Sequence, residues 1–172
     1  PRHGPVLNEN LDFYLNLYQT WSAYEPEDKG VLIAYTSVYG NTKKAAELLA
    51  QMLVDKGCEK VAITDLARDD IAEAVEDAFR YDRLVLATTT YNGDVFPFMR
   101  EFIESLTERN YQKRTIGLIE NGSWAATAAK VMRQLFEKSK EITFTETTVK
   151  IMSALNEEST TQLENLAEEL CK

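Results

Sequence analysis

Residues Val31 to Thr42 (Val-Leu-Ile-Ala-Tyr-Thr-Ser-Val-Tyr-Gly-Asn-Thr) constrain this chain most. The apolar run Val31 to Tyr35 reads as a strand buried on both faces. Thr36 to Gly40 is a short loop of hydroxyls and small residues. A helical pattern follows at once, with Ala45, Leu48, Leu49, Met52 and Leu53 on one stripe. Gly57 closes that helix. A loop that runs from a central strand into a helix N-terminus gathers unpaired N–H groups at the positive end of the helix dipole. Such a loop is an anion site, and phosphate is its common occupant. No GxxxxGK[ST] and no GxGxxG occurs, so neither a lysine-bearing nucleotide loop nor a dinucleotide fingerprint is present.

Ser37-Val38-Tyr39-Gly40-Asn41-Thr42 resembles the phosphate loop of flavodoxins, (S/T)-x-(S/T)-G-x-T, which holds the phosphate of FMN with hydroxyls and backbone N–H groups. Tyr39 departs from that pattern, standing where it has a small hydroxyl residue. An ordinary βα turn with Asn41 as N-cap is the competing reading of the loop alone.

The rest of the chain alternates. Lys60 to Thr64, Arg83 to Thr88 and Thr115 to Ile119 read as strands, and Ile142 to Met152 is a Thr- and Val-rich stretch that supplies a fifth strand with room for a bend. Between them lie helical stripes. Ile71, Ala74, Val75, Ala78 and Phe79 follow a cap at Asp69 or Asp70. Met99, Phe102, Ile103 and Leu106 follow Pro97. Ala128, Val131, Met132, Leu135 and Phe136 form another stripe. Leu163, Leu166, Ala167, Leu170 and Cys171 form the last, capped by Asn156 or Ser159. Upstream, Pro1 to Pro5 is irregular. Asn8 can cap a helix striped by Leu11, Tyr14, Leu15 and Tyr18, and Glu25 to Gly30 is a polar linker. The alternation predicts an α/β fold, a five-stranded parallel, doubly wound sheet with helices on both faces preceded by a linker helix, and the resemblance to flavodoxins implies a flavodoxin-like strand order of 2-1-3-4-5. Residues 1–29 are expected to be linker and helix, and 30–172 the ligand-binding domain.

Composition narrows the partners. With 172 residues and 44% hydrophobic content, one α/β domain has a sizeable core. Acidic residues outnumber basic ones 28 to 19, and the net charge of −9 argues against nucleic acid or an anionic membrane as partner. No long apolar run or signal peptide is visible, so a soluble, cytoplasmic protein is expected. Cys58 and Cys171 are far apart and form no C-x-x-C pair; they read as reduced thiols. His3 is the only histidine, which removes multi-histidine metal sites and Ser-His-Asp triads unless His3 takes part. The sequence does not begin with Met, so a processed chain or a piece of a longer one is expected.

In doubly wound sheets, ligands bind beyond the carboxyl ends of the strands at the switch in strand order. The loops after Thr36, Thr88 and Ile119 therefore matter. The second carries Thr89-Thr90-Tyr91-Asn92-Gly93 and the third Asn121-Gly122-Ser123-Trp124; each has one aromatic and one Asn-Gly. Tyr91 and Trp124 on facing loops can sandwich a planar ring. Backbone groups near glycine can bind its polar edge, and the Asn92-Gly93 peptide can turn its carbonyl toward the ring.

Tyr39-Gly40-Asn41-Thr42, then Thr90-Tyr91-Asn92-Gly93 with Phe96-Pro97, then Gly122-Ser123-Trp124, resemble the flavodoxin domain of flavodiiron proteins (A-type flavoproteins). His3-Gly4-Pro5 and the helix through Trp21 resemble that family's junction from its metallo-β-lactamase-like domain. Ala125-Ala126 departs where many relatives carry Ser-Gly. The resemblance implies that Ser37, Val38, Tyr39, Gly40, Asn41 and Thr42 form the FMN phosphate loop, that Thr89 to Gly93 and Asn121 to Trp124 hold the ring, and that His3 matches an iron-ligating histidine of the full-length parent. It implies an FMN electron-transfer domain that passes electrons from a rubredoxin-like donor to a diiron site in a preceding N-terminal domain, where oxygen or nitric oxide is reduced. The alternatives are an independent NAD(P)H-dependent flavin or quinone reductase, and a cofactor-free interaction module.

Overall fold

The computed structural model describes Gly4 and residues 8–172. His3 and the other residues of the Pro1 to Pro5 segment, Gly4 apart, lie outside them. The strands are β1 (Asp28–Tyr35), β2 (Val61–Asp65), β3 (Tyr81–Tyr91), β4 (Asp94–Val95), β5 (Arg114–Asn121) and β6 (Ile142–Ile151). The helices are α1 (Leu11–Ser22), α2 (Asn41–Asp55), α3 (Ile71–Arg80), α4 (Pro97–Glu108), α5 (Ala128–Leu135) and α6 (Glu157–Leu170). The parallel sheet runs β2-β1-β3-β5-β6, and β4 pairs antiparallel with β3. This is the predicted order with one hairpin strand added.

Period-two alternation divides the central strands between two cores. Leu32, Ala34, Leu84, Leu86, Ile116 and Leu118 face α3, α4 and α5, which contribute Ala74, Phe102, Ile103 and Met132. Val31, Ile33, Val85, Ala87 and Ile119 face α2 and α6, which contribute Leu49, Leu53, Leu163 and Leu166. A one-residue slip of β1 would exchange these two sets and mismatch both layers. The bend allowed for in the last strand is a register shift: Ile116 pairs with Phe144, but Leu118 with Thr148. The amides freed there are not left bare. Glu146 N–H and Thr147 N–H donate to the Glu169 carboxylate of α6 at 2.7 and 3.0 Å.

Caps differ in detail from the sequence expectation. Asp70, not Asp69, caps α3, accepting from Ala72 N–H at 2.8 Å. Asp69 instead accepts from Asp65 N–H. Asn156 and Ser159 are not alternatives: they form a reciprocal capping box on α6. α1 starts after Asn10 rather than Asn8, and its stripe of Leu11, Tyr14, Leu15 and Tyr18 is exposed rather than packed.

The segment after α1 is nonetheless tied to the N-terminal edge of the sheet. Lys113 Nζ bonds Ala23 O and Glu25 Oε1 at 3.0 and 2.5 Å. Buried Arg114 donates to Tyr24 O at 2.7 Å, Phe79 O at 2.6 Å and Tyr81 O at 2.8 Å. Arg114 also lies 5.7 Å from the centroid of the Tyr111 ring. Tyr111 is wholly buried, and its hydroxyl has no hydrogen-bond partner among the described residues. A buried hydroxyl without a partner carries its desolvation cost uncompensated. Tyr111→Phe keeps the ring and removes the hydroxyl, so urea unfolding should find stability unchanged or raised by about 1–2 kcal/mol. A clear loss of stability would show that the hydroxyl is bonded in solution.

Candidate functional site

Thr36 directly follows β1 and Thr88 ends the buried part of β3, and their hydroxyls meet at 2.7 Å beneath the carboxyl edge of the sheet. Above them the chain turns into α2. Gly40 is the N-cap, at φ 85° and ψ −8°, and no side chain caps the helix. Ser37 Oγ accepts from the Gly40 N–H at 3.1 Å, and the first helical bond is from Lys44 N–H to Gly40 O. The N–H groups of Asn41, Thr42 and Lys43 therefore have no partner within the helix. Asn41 is the first helical residue, not the cap.

The other helices that follow strands are closed differently. α3 and α6 have side-chain caps. At α5, Thr90 Oγ1 accepts from Thr127 and Ala128 N–H at 3.0 and 3.3 Å, and the buried Glu120 carboxylate accepts from Ala129 N–H at 2.9 Å. α4 begins with Pro97, which has no N–H to offer. The start of α2 has no such side-chain cap, and the unpaired amides and dipole of its first turn favour an anion.

Asn92-Gly93 has a structural task. Both residues have positive φ, 51° and 76°, and they form the two-residue turn of the β3–β4 hairpin. The Gly93 carbonyl already accepts from Thr127 Oγ1 at 3.4 Å. Arg100 Nη2 holds both carboxylate oxygens of Asp94 at 2.6 Å, and this pairing keeps the Asp94 carboxyl below the usual carboxylate range.

A cleft of about 350 Å³ lies between these loops. The α2 loop lines it with Ser37, Val38, Tyr39, Asn41 and Thr42. β3 adds Thr89, Thr90 and Tyr91, and the loop after β5 adds Asn121, Gly122 and Ser123. Gly40, Asn92, Gly93 and Trp124 are not on its wall. Trp124 and Tyr39 are 95% and 92% exposed, so neither ring is packed against the protein. Every lining side chain is uncharged.

Phe96 and Ser153 line the cleft without having been singled out as site residues. Phe96 meets Tyr91 edge-on, with centroids 5.5 Å apart. Ser153 sits at φ 68° in a three-residue turn closed by Ala154 N–H to Met152 O at 2.9 Å. No glycine or Asn-Gly marks that turn in the sequence. Asn121 joins three loops, because its Nδ2 donates to Thr42 Oγ1 at 3.3 Å and to Ser153 O at 3.2 Å. Among the described residues, no group of three His, Cys, Asp or Glu could hold a metal ion, and no helix is long and apolar enough to cross a membrane.

The family model described as the flavodoxin domain matches residues 32–151. Anaerobic nitric oxide reductase flavorubredoxin of Escherichia coli O1:K1 / APEC is 26% identical over 127 residues, 73% of this chain and 26% of the relative. The chain thus spans about a quarter of that protein. Rubredoxin oxygen:oxidoreductase of Desulfovibrio gigas superposes with a TM-score of 0.85 at 19% identity, covering 94% of this chain and 39% of its own. A mutant of the flavo di-iron protein of Thermotoga maritima superposes at 0.79 with 21% identity, covering 98% and 42%. Both structural likenesses concern the fold.

Proposed function

This chain belongs to the flavodoxin domain family, and on that premise we propose that it is an FMN-binding electron-transfer domain. The observation that carries this reading is the uncapped start of α2, which opens into a cleft of uncharged hydroxyl and aromatic residues. Ser37, Thr42 and the first-turn amides of α2 bind the phosphate, with Val38, Gly40 and Asn41 contributing backbone. Gly40 suits that role, because its positive φ turns the loop and a Cβ there would meet nothing within 4 Å. Asn121 orients the Thr42 hydroxyl. Tyr91 and Phe96 offer apolar surface to one side of the ring. Thr89, Thr90, Gly122 and Ser123 stand along the cleft where a polar ring edge would lie. Tyr39 and Trp124, almost wholly exposed, cover the ring's outer side. Asn92-Gly93 lies at the hairpin tip, where a peptide carbonyl can reach the ring edge. Bound FMN would supply the redox chemistry, and the protein binds it and tunes it.

The finer reading concerns a parent protein. Residues 30–172 act as the flavin domain and 1–29 as its linker and helix. Electrons arrive from a rubredoxin-like donor and leave to a diiron site in an N-terminal metallo-β-lactamase-like domain, to which His3 contributes a ligand, in a cytoplasmic oxygen or nitric oxide reductase. The motif resemblance and the likeness to flavorubredoxin and rubredoxin oxygen:oxidoreductase support this.

Titrating FMN into the apoprotein should quench flavin fluorescence at one equivalent, through stacking on aromatic rings. Raising salt should leave affinity unchanged or slightly tighter, because the cleft has no lysine or arginine to screen and the chain carries −9 charges. Absence of quenching would sink the FMN reading. Steep weakening by salt would show that a cation, not the helix amides, holds the phosphate. Reduced rubredoxin mixed with the loaded chain should bleach the flavin absorption within seconds. A bleaching rate no faster than that of free FMN would remove the proposed donor while leaving flavin binding intact.

A further inference from the structure

Two thiols stand at the edge of the sheet opposite the cleft. α2 and α6 lie on the same face and share one apolar core. Each follows a parallel strand, so each runs back toward the N-terminal edge, and their last turns end side by side. Lys56 Nζ reaches Glu168 Oε1 there at 3.2 Å. Cys58 follows α2 after the turn at Gly57, and Cys171 is the C-cap of α6. One carbonyl serves both: Leu53 O accepts from the Cys58 N–H at 3.0 Å and from Cys171 Sγ at 3.9 Å. That shared carbonyl brings the two cysteines together at one place on the edge. Both residues are free cysteines and partly exposed, so a small solute can reach them.

We propose that Cys58 and Cys171 are a modification site that closes to an intramolecular disulfide by exchange with a small-molecule disulfide such as oxidised glutathione. Cys171, after loss of its proton to solvent, attacks one glutathione sulfur. A mixed disulfide forms and one glutathione thiolate leaves. Cys58 then gives up its proton and attacks the Cys171 sulfur. The Cys58–Cys171 bond forms as the second glutathione leaves. Two protein thiols are oxidised and one glutathione disulfide is reduced to two thiols, so atoms and electrons balance. Burial, and then the adjacent Cys171, push the Cys58 thiol up to about 11. Closure should quicken as the solution is made alkaline, because each attack needs a thiolate. The ring closed spans about 110 residues, a length at which a cross-link strongly restricts the unfolded chain. The bond would pin the far end of α6, whose near end follows the Ser153 turn of the cleft wall.

The test is to incubate the 172-residue chain with oxidised glutathione and follow its intact mass, its peptide map and its thermal midpoint. The expected product is a monomer lighter by two hydrogens, with the peptides of Cys58 and Cys171 joined and the midpoint raised by roughly 5–15 °C. Cys171→Ser should stop at a glutathione adduct on Cys58, and Cys58→Ser at an adduct on Cys171. Separate adducts persisting on both cysteines of the unaltered chain would overturn the proposal. So would thiols that remain free, or a disulfide joining two chains. Neither cysteine lies at the cleft, so these outcomes are independent of FMN binding.

Discussion

Arg114→Ala should lower the free energy of unfolding by at least about 1.5–3 kcal/mol, the range for a hydrogen bond to a charged group, since several are lost together. Arg114 is 3% exposed, and its guanidinium meets no carboxylate among the described residues. Its partners are main-chain carbonyls from separate parts of the chain: Tyr24 from the segment after α1, Phe79 from the last turn of α3, Tyr81 at the start of β3, and Gln112 and Lys113 just before β5. The Phe79 carbonyl also lies at the negative end of the α3 dipole, which favours a cation. Removing the side chain leaves these acceptors without a charged donor and opens a void beneath Tyr111. Arg114→Lys should recover only part of the loss, because a single ammonium cannot reproduce a planar fork aimed at several carbonyls. Urea unfolding of the three proteins is the measurement. A loss under about 1 kcal/mol for Arg114→Ala would mean that water replaces the guanidinium without cost.

Gly40→Val should weaken FMN binding roughly 10- to 100-fold while changing riboflavin affinity little, the equivalent of one or more charge-assisted hydrogen bonds. The space beside Gly40 is open, so the objection to valine is not a clash. It is φ 85°, a backbone region that a β-branched residue does not tolerate. The loop must move to negative φ, and the first amides of α2 then turn away from the phosphate. Thr42→Ala should act in the same direction by removing a hydroxyl that Asn121 orients, and Thr42→Ser should restore most of the affinity. Tyr91→Ala, on the opposite side of the cleft, should weaken FMN and riboflavin alike. If all these variants affected both ligands equally, the division into a phosphate end and a ring end would be wrong.

Much of this was legible before the fold was known. The buried strands announce themselves as apolar runs, and the helices that cover them carry apolar residues three and four apart. The strand order and the three loops at its switch point followed from alternation and resemblance. The candidate anion loop was legible because it is contiguous: strand, turn and helix start occupy one stretch of chain. The short β4 that follows Asn92-Gly93 was not legible, for an instructive reason. Asn-Gly between Tyr91 and Asp94 is a strong hairpin signal, but β4 has only two residues, Asp94 and Val95, too few to show alternation. The exposure of the α1 stripe was not legible either, because an apolar face in sequence does not say which surface covers it.

What the sequence by itself determined is local: periodicity, turn chemistry and the order of elements, each set by residues within a few positions of one another. Tertiary structure decided the rest. Ser153 reaches the cleft because β6 lies beside β5, so the loop after it meets Asn121. Thr90 and Glu120 close α5 because neighbouring strands end at the same level. Cys58 and Cys171 meet because two helices on one face finish at one edge. These pairings depend on distances between residues remote in sequence. Such distances are set by strand order, register and the packing of both layers at once, and no single stretch of chain encodes them.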